Sequence, residues 1–259
     1  MKRVIPAIIL AMTTLAACDM FIDCIDGNGD VETELRDAVP FTAIANETSF
    51  HVNYIQDDEY SITVEAESNI LPYIETDITS GSLEIRTIKG IHCLNYTRHP
   101  VVTVTAPNIS EIVSAGSGDF FAGPLSGTDV KVVNSGSGDI TVGTITGTEV
   151  SIVISGSGNV ITDEIASTSM KATLSGSGDL TVSGGETATS RYVVSGSGTA
   201  FTRYFASDDA TVTMSGSGSV YATVYDNLNA VISGSGNIYL LGDPDVSLTR
   251  TGSGRVIYL

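Results

Sequence analysis

The chain has no tryptophan, three cysteines and only 12 Lys and Arg in 259 residues. Each shortage narrows what it can be. Against those 12 stand 30 Asp and Glu. Lys2 and Arg3 fall in a segment that reads as removable, which leaves 10 basic and 30 acidic side chains, a formal charge of −20. Nucleic acid, whose phosphates need a basic surface, is therefore not an expected partner. The same balance argues against an electrostatic grip on anionic lipid. No Cys-x-x-Cys pair occurs, so the common zinc frameworks are not expected. Neither Gly-x-Ser-x-Gly nor Gly-Lys-Ser/Thr is present. No stretch between the glycine repeats has the length and periodicity of a helix. Charged residues make up 16% and hydrophobic ones 42%, which fits a packed core better than a disordered tail.

What is present starts with an address. Met1-Lys2-Arg3 precedes an apolar run from Val4 to Leu15. A short basic head and about a dozen apolar residues make a secretory signal, too short for a span of roughly 20. The run ends Leu15-Ala16-Ala17-Cys18, which resembles the bacterial lipobox. That resemblance implies cleavage after residue 17 and a lipid on Cys18, hence membrane attachment through that lipid. The expected location is the cell envelope, at the outer membrane. Cys24 and Cys93 remain. An exported chain with an even number left over points to a disulfide, here closing a loop of about 70 residues. Two free thiols or metal ligation are the alternatives.

The second half is governed by one motif, Ser-Gly-Ser-Gly and its near copies. The first glycines are Gly116, Gly136, Gly156, Gly176, Gly196, Gly216, Gly234 and Gly252, spaced 20, 20, 20, 20, 20, 18 and 18. A fixed period of this size marks a solenoid. The segments after the glycines are β-branched and strand-like. Together they predict an all-β parallel β-helix, with one coil per repeat and eight coils about 38 Å tall at about 4.8 Å each. Parity along the coil predicts Val130, Val132, Ile140 and Val142 inside, with Lys131, Ser135 and Ser137 outside. One inward column reads Phe120, Ile140, Val160, Leu180, Ala200, Val220, Ile238 and Val256. The glycines are expected where walls approach or the strand bends.

Residues 18–30 read as a lipid-anchored linker and 31–110 as an irregular β cap. Residues 111–259 form the repeat helix, continuous with that cap. Strand-like runs in the cap lie at 49–55, 61–65, 82–87 and 101–105. Gly27-Asn28-Gly29-Asp30-Val31 reads as a degenerate copy of the repeat. Atypical terminal units of this kind shield the open end of a solenoid. Arg255–Leu259 lies in a strand, and an apolar end strand invites pairing with a second copy.

In the cap and repeats together the chain resembles the bacterial head GIN family of autotransporter adhesin heads. The resemblance rests on the residues at 36–44 (Arg-Asp-Ala-Val-Pro-Phe-Thr-Ala-Ile) and at 64–71 (Val-Glu-Ala-Glu-Ser-Asn-Ile-Leu). It continues through Ile74-Glu75-Thr76, Gly81–Ile85, Val102–Pro107 and the Gly-Ser-Gly-Asp repeats. It implies a right-handed parallel β-helix in an envelope lipoprotein and carries no catalytic residues to transfer.

Candidate chemistry is sparse. His51, His92 and His99 all lie in the cap, and the serines read as turn residues. Asp26, Asn28, Asp30 and Glu32 alternate like a calcium loop, but Val31 replaces its glycine. The column Asp119, Asp139, Asn159, Asp179 stacks carboxylates that would attract cations or titrate high. Its continuation as Thr199, Ser219, Asn237 and Arg255 fits a tolerant polar turn instead. No metal or cofactor is expected. Phe201, Tyr221 and Tyr239 fall on consecutive coils at outward parity, a row suited to a glycan or protein partner. A parity slip at the glycines would put those rings in the core. The expected function is a non-catalytic, adhesin-like binding or structural module. A self-associating envelope scaffold and a carbohydrate-active enzyme are the alternatives.

Overall fold

Alternation of apolar and polar residues at a 20-residue repeat leaves the backbone one way to bury its apolar half: coil upon coil. The computed structural model describes residues 24–91 and 93–259; the signal segment, Cys18 and His92 lie outside them. Strands stack in parallel, with Ile140 beside Val160, Leu180 beside Ala200 and Tyr221 beside Tyr239. The result is a parallel β-solenoid of about seven turns. Val130, Val132, Ile140 and Val142 are buried, and the column from Phe120 to Ile238 is inaccessible to solvent. Burying one such aliphatic side chain contributes roughly 1.5–3 kcal/mol, but only with a neighbouring coil to cover it.

The corner glycines have a sharper role than a bend. None of those from Gly116 to Gly254 in the Ser-Gly-Ser-Gly motifs has a positive φ. A Cβ on Gly156 would lie 1.9 Å from the carbonyl oxygen of Gly136 in the preceding coil, and one on Gly176 2.0 Å from that of Gly156. The missing side chain therefore points along the stack, into the neighbouring backbone, and not toward the core. Closeness serves hydrogen bonding: the Gly136 carbonyl accepts from the N–H of both Ser157 and Gly158, at 3.1 and 3.2 Å. Parity does not slip here. Asn134, Gly138 and Ile140 are buried while Ser135 and Ser137 are exposed. The serine backbone carries the cross-coil bonds, and a hydroxyl–hydroxyl bond joins Ser253 to Ser235 at 3.2 Å.

The cap contains a coil that the motif does not reveal. Ala43–Asn46 pairs in parallel with Glu111–Ser114, and His51–Gln56 with the strand Phe120–Ala122. Thr48 and Phe50 stand where later coils have glycine. They fit because the next chain segment down does not turn a tight corner beneath them. It runs from Ser82–Thr87 to Val101–Ala106 through a detour at 88–100, where Tyr96 packs edge-on against Phe50. The expectation that Gly27–Val31 copies the repeat is corrected accordingly. Ile25–Asp26 pairs with Leu94–Asn95, and Val31–Arg36 runs antiparallel to Ser61–Glu67. Antiparallel strands close this end: Ser61–Glu67 covers Val101–Ala106, and Ile74–Thr79 covers Ser82–Thr87. The outermost of these strands carry Glu32, Glu34, Glu75 and Asp77, charges that discourage edge pairing.

The N-terminal segment is fastened twice. Cys24 and Cys93 form the expected disulfide. Beside it, buried Glu67 accepts hydrogen bonds from the Gly29 N–H (2.6 Å), the Thr97 N–H (3.0 Å) and the Thr97 hydroxyl (2.8 Å). Desolvation pushes this carboxyl upward, but the Thr97 hydroxyl and the two N–H groups outweigh it and hold it below the ordinary 4.5. A lowered folded-state value means its stabilisation is complete above the unfolded pKa and disappears as pH falls through the folded one.

Two outcomes follow. Gly156→Ala is expected to destabilise by at least about 3 kcal/mol, because backbone and not a movable side chain blocks the new methyl, whereas exposed Ser157→Ala stays within about 0.5 kcal/mol. Urea midpoints of the two variants check this. The difference in thermal midpoint between wild type and Glu67→Gln should be constant above pH 4.5 and close as the pH drops further; a gap indifferent to pH would remove Glu67 from the acid response.

Candidate functional site

The outward column after the glycine corner is rich in aromatic and aliphatic residues. It reads Phe121, Thr141, Ile161, Thr181, Phe201, Tyr221, Tyr239, Ile257. Phe121 is 49% exposed and Phe201 41%. The core alternative for the aromatic row is thus settled by parity: the rings stand outside. Strand pairing sets their spacing. Phe201 and Tyr221 stack with centroids 5.3 Å apart at 21°, and Tyr221 and Tyr239 at 4.3 Å and 9°. Three consecutive coils thereby present one continuous aromatic surface.

A buried hydrogen-bond relay supports that surface. The phenol of Tyr192 donates to the Thr202 hydroxyl at 2.8 Å, and Thr202 donates to the backbone carbonyl of Tyr221 at 2.7 Å. Burial pushes the Tyr192 hydroxyl up to about 12, against the opposing pull of its bonds to Thr202 and Ser190. The phenol is a permanent donor at neutral pH, and the row rests on a fixed backbone.

The row borders a groove that arises from the change in coil length. Pairing is 20 residues apart at Thr202 and Ala222, but Ala206 pairs with Thr223. The register shift leaves Arg203, Tyr204 and Phe205 as an extra step on the coil. Phe205 turns inward and is buried. Gly185, at φ 106°, turns the chain on the preceding coil, where a Cβ would lie 2.0 Å from the Ile165 carbonyl oxygen. Tyr204 turns outward and is 70% exposed, with the Arg203 guanidinium 5.6 Å over its ring. Thr181, Val182, Ser183, Phe201 and Tyr221 complete a groove of about 520 Å³, within the usual range for ligand sites. Sequence reasoning named the three stacked rings but missed Arg203 and the groove. The fall in spacing from 20 to 18 was the available signal.

The other candidate chemistries resolve into structure. In the aspartate column each side chain accepts a backbone N–H from the next coil. Asp119 Oδ1 accepts from Asp139 (3.0 Å), Asp139 from Asn159 (2.8 Å), Asn159 from Asp179 (2.9 Å) and Asp179 from Thr199 (2.7 Å). Asp26, Asn28 and Asp30 do not converge on a cavity. The Asp26 carboxylate accepts from Asn95, Asn28 donates to the Ser68 hydroxyl, and the Asp30 N–H donates to Asn28. The His51 and His99 rings meet at a 43° tilt with centroids 4.9 Å apart in the cap, and His51 Nδ1 accepts the Asp119 N–H at 3.1 Å. Among the described residues no cluster of three His, Cys, Asp or Glu could hold a metal. No helix among them is long and apolar enough to cross a membrane.

Comparison with known proteins agrees with this geometry. A family model described as "putative auto-transporter adhesin, head GIN domain" matches residues 40–244. A crystal structure of a putative lipid binding protein from Parabacteroides distasonis ATCC 8503 is similar at 26% identity and TM-score 0.84, over 92% of this chain and 100% of that one. A putative adhesin from the same organism is similar at 22% identity and TM-score 0.80, over 92% and 100% of the two chains. One from Parabacteroides merdae ATCC 43184 gives 24% and 0.81, over 92% and 99%. No curated protein matches the chain.

The aspartate column carries its own test. Asp139→Ala removes the acceptor of the Asn159 N–H and should cost about 1–2 kcal/mol, while Asp139→Asn, which keeps an oxygen there, should cost under about 0.5 kcal/mol. Thermal midpoints with and without millimolar calcium distinguish this from ion binding. A calcium-dependent rise in wild type that Asp139→Asn abolishes would restore the cation reading.

Proposed function

We propose that this chain, which belongs to the putative auto-transporter adhesin, head GIN domain family, is a non-catalytic binding module exported to the cell envelope and held there by a lipid on Cys18. The observation that carries the binding reading is the outward stack of Phe201, Tyr221 and Tyr239, with Phe201 exposed and the two tyrosines half-buried, beside its groove. Outward aromatic rings favour the apolar faces of sugars and the side chains of protein partners. A rigid stack presents them without loss of conformational freedom on binding.

A lipid on Cys18 would attach the chain six residues before the Cys24–Cys93 bridge, at the cap end of the stack. The rings lie on coils about 30 Å from that end at the strand spacing.

A second reading is an envelope scaffold that associates with its own copies. The coil at 245–258 favours it, since it exposes Leu248 by 43% and Tyr258 by 59%.

Binding of the purified protein to a glycan and matrix-protein array tests the first reading, beside the Phe201→Ala/Tyr221→Ala/Tyr239→Ala variant. The variant should keep its thermal midpoint within a few degrees and lose at least about thirtyfold in affinity, the equivalent of about 2 kcal/mol. Binding by neither protein, together with mass that rises with concentration in sedimentation, would favour the scaffold.

A further inference from the structure

We infer that the groove beside the aromatic row takes an acidic sugar, a glycan residue whose carboxylate pairs with Arg203. The inference rests on the binding reading and adds the chemistry of the occupant.

Cations are scarce in this chain, 12 against 30 acidic residues. Three of the ten among the described residues are spent on carboxylates. Arg36 pairs with Glu34, Lys131 with Glu111, and Arg86 with Glu75, Asp77 and Glu84. Arg203 makes no ion pair among the described residues. It lines the apolar groove, with its guanidinium over the Tyr204 ring. A guanidinium in cation–π contact keeps its donors for a further partner, and their fork matches the two oxygens of a carboxylate. The Arg203 backbone is also fixed, because the Thr223 hydroxyl donates to its carbonyl at 2.7 Å.

The rest of the groove fits a pyranose. Phe201 is the end ring of the stack, and its face turned away from Tyr221 is the one offered to the C–H face of a sugar. Thr181, beside Phe201 on the neighbouring coil, and Ser183 bring hydroxyls to the groove for its ring hydroxyls. At the 20-residue offset the Arg203 column reads Asp163, Ser183, Arg203, so the positive site is bounded by a carboxylate two coils away. One cation, so bounded, in a chain of formal charge −18 suits one carboxylate per sugar ring and repels a densely charged polyanion. Uronates and sialates share the required chemistry.

Titration of the purified full chain at physiological salt tests this. The probes are trigalacturonic acid, a glucuronate-containing oligosaccharide and sialyllactose, each beside its neutral counterpart (the carboxyl-reduced sugar, or lactose). At least one acidic probe should bind at least about tenfold tighter than its neutral partner. Arg203→Gln should abolish that preference, so that acidic and neutral members bind alike, and Arg203→Lys should restore part of it. Equal affinity for acidic and neutral members, or acidic binding untouched in Arg203→Gln, overturns the inference. So does failure of all three acidic probes. If an array ligand is still lost in the triple aromatic variant, the binding module survives that failure. If the array is also silent, both readings fall.

Discussion

The structure depends on one contact, the approach of a glycine corner to the glycine corner of the coil beneath it. There the carbonyl of Gly136 accepts the N–H groups of both Ser157 and Gly158. The same arrangement recurs at Gly156, Gly176, Gly196 and Gly216. A buried or stacked backbone must place its polar groups somewhere, and here it places them in the next coil. Any Cβ in the way would sit about 2 Å from that carbonyl. The glycines are therefore set by crowding between coils and not by an unusual φ. Once the corners lock, every strand takes the same height, and the columns inside and outside the coil follow.

Polar side chains complete what the backbone leaves open. The Asp119 column supplies a side-chain acceptor for an N–H of the next coil at Asp119, Asp139, Asn159, Asp179 and Asn237. Buried Asn134 takes both roles, donating to the Gly138 carbonyl and accepting the Gly136 N–H. Thr162 and Thr202 do similar service farther along the coil. A residue type that looks like a binding signature in the sequence, a run of stacked carboxylates, is in this setting a substitute for main-chain hydrogen bonding. That explains why Asn replaces Asp at position 159 without breaking the ladder: each offers the oxygen that the neighbouring N–H needs.

The surface inherits the same regularity, and the candidate site lies where regularity meets a fault. Constant strand spacing brings Phe201, Tyr221 and Tyr239 into a stack without any loop to hold them. The shift in register after Thr202 then pushes Tyr204 and Arg203 out beside the stack and Phe205 into the core. A rigid solenoid has few ways to make a concavity. Changing the length of one coil is one of them.

Much of the fold was legible because a 20-residue period and a two-residue alternation both record burial. Together they named the inward column, the row of rings and the coil stack, but left the rings between the outer face and the core. The Cys24–Cys93 bridge was legible from cysteine number and expected compartment. The coil at 43–56 was not, since Thr48 and Phe50 are tolerated only where the detour at 88–100 leaves the corner uncovered. Nor was the role of the aspartates, because the sequence lists a side chain without the N–H that it meets. The groove belonged to tertiary structure for the same reason. Arg203 and Ser183 are twenty positions apart in the chain, and only the pairing of neighbouring coils and the slip in that pairing make them walls of one site.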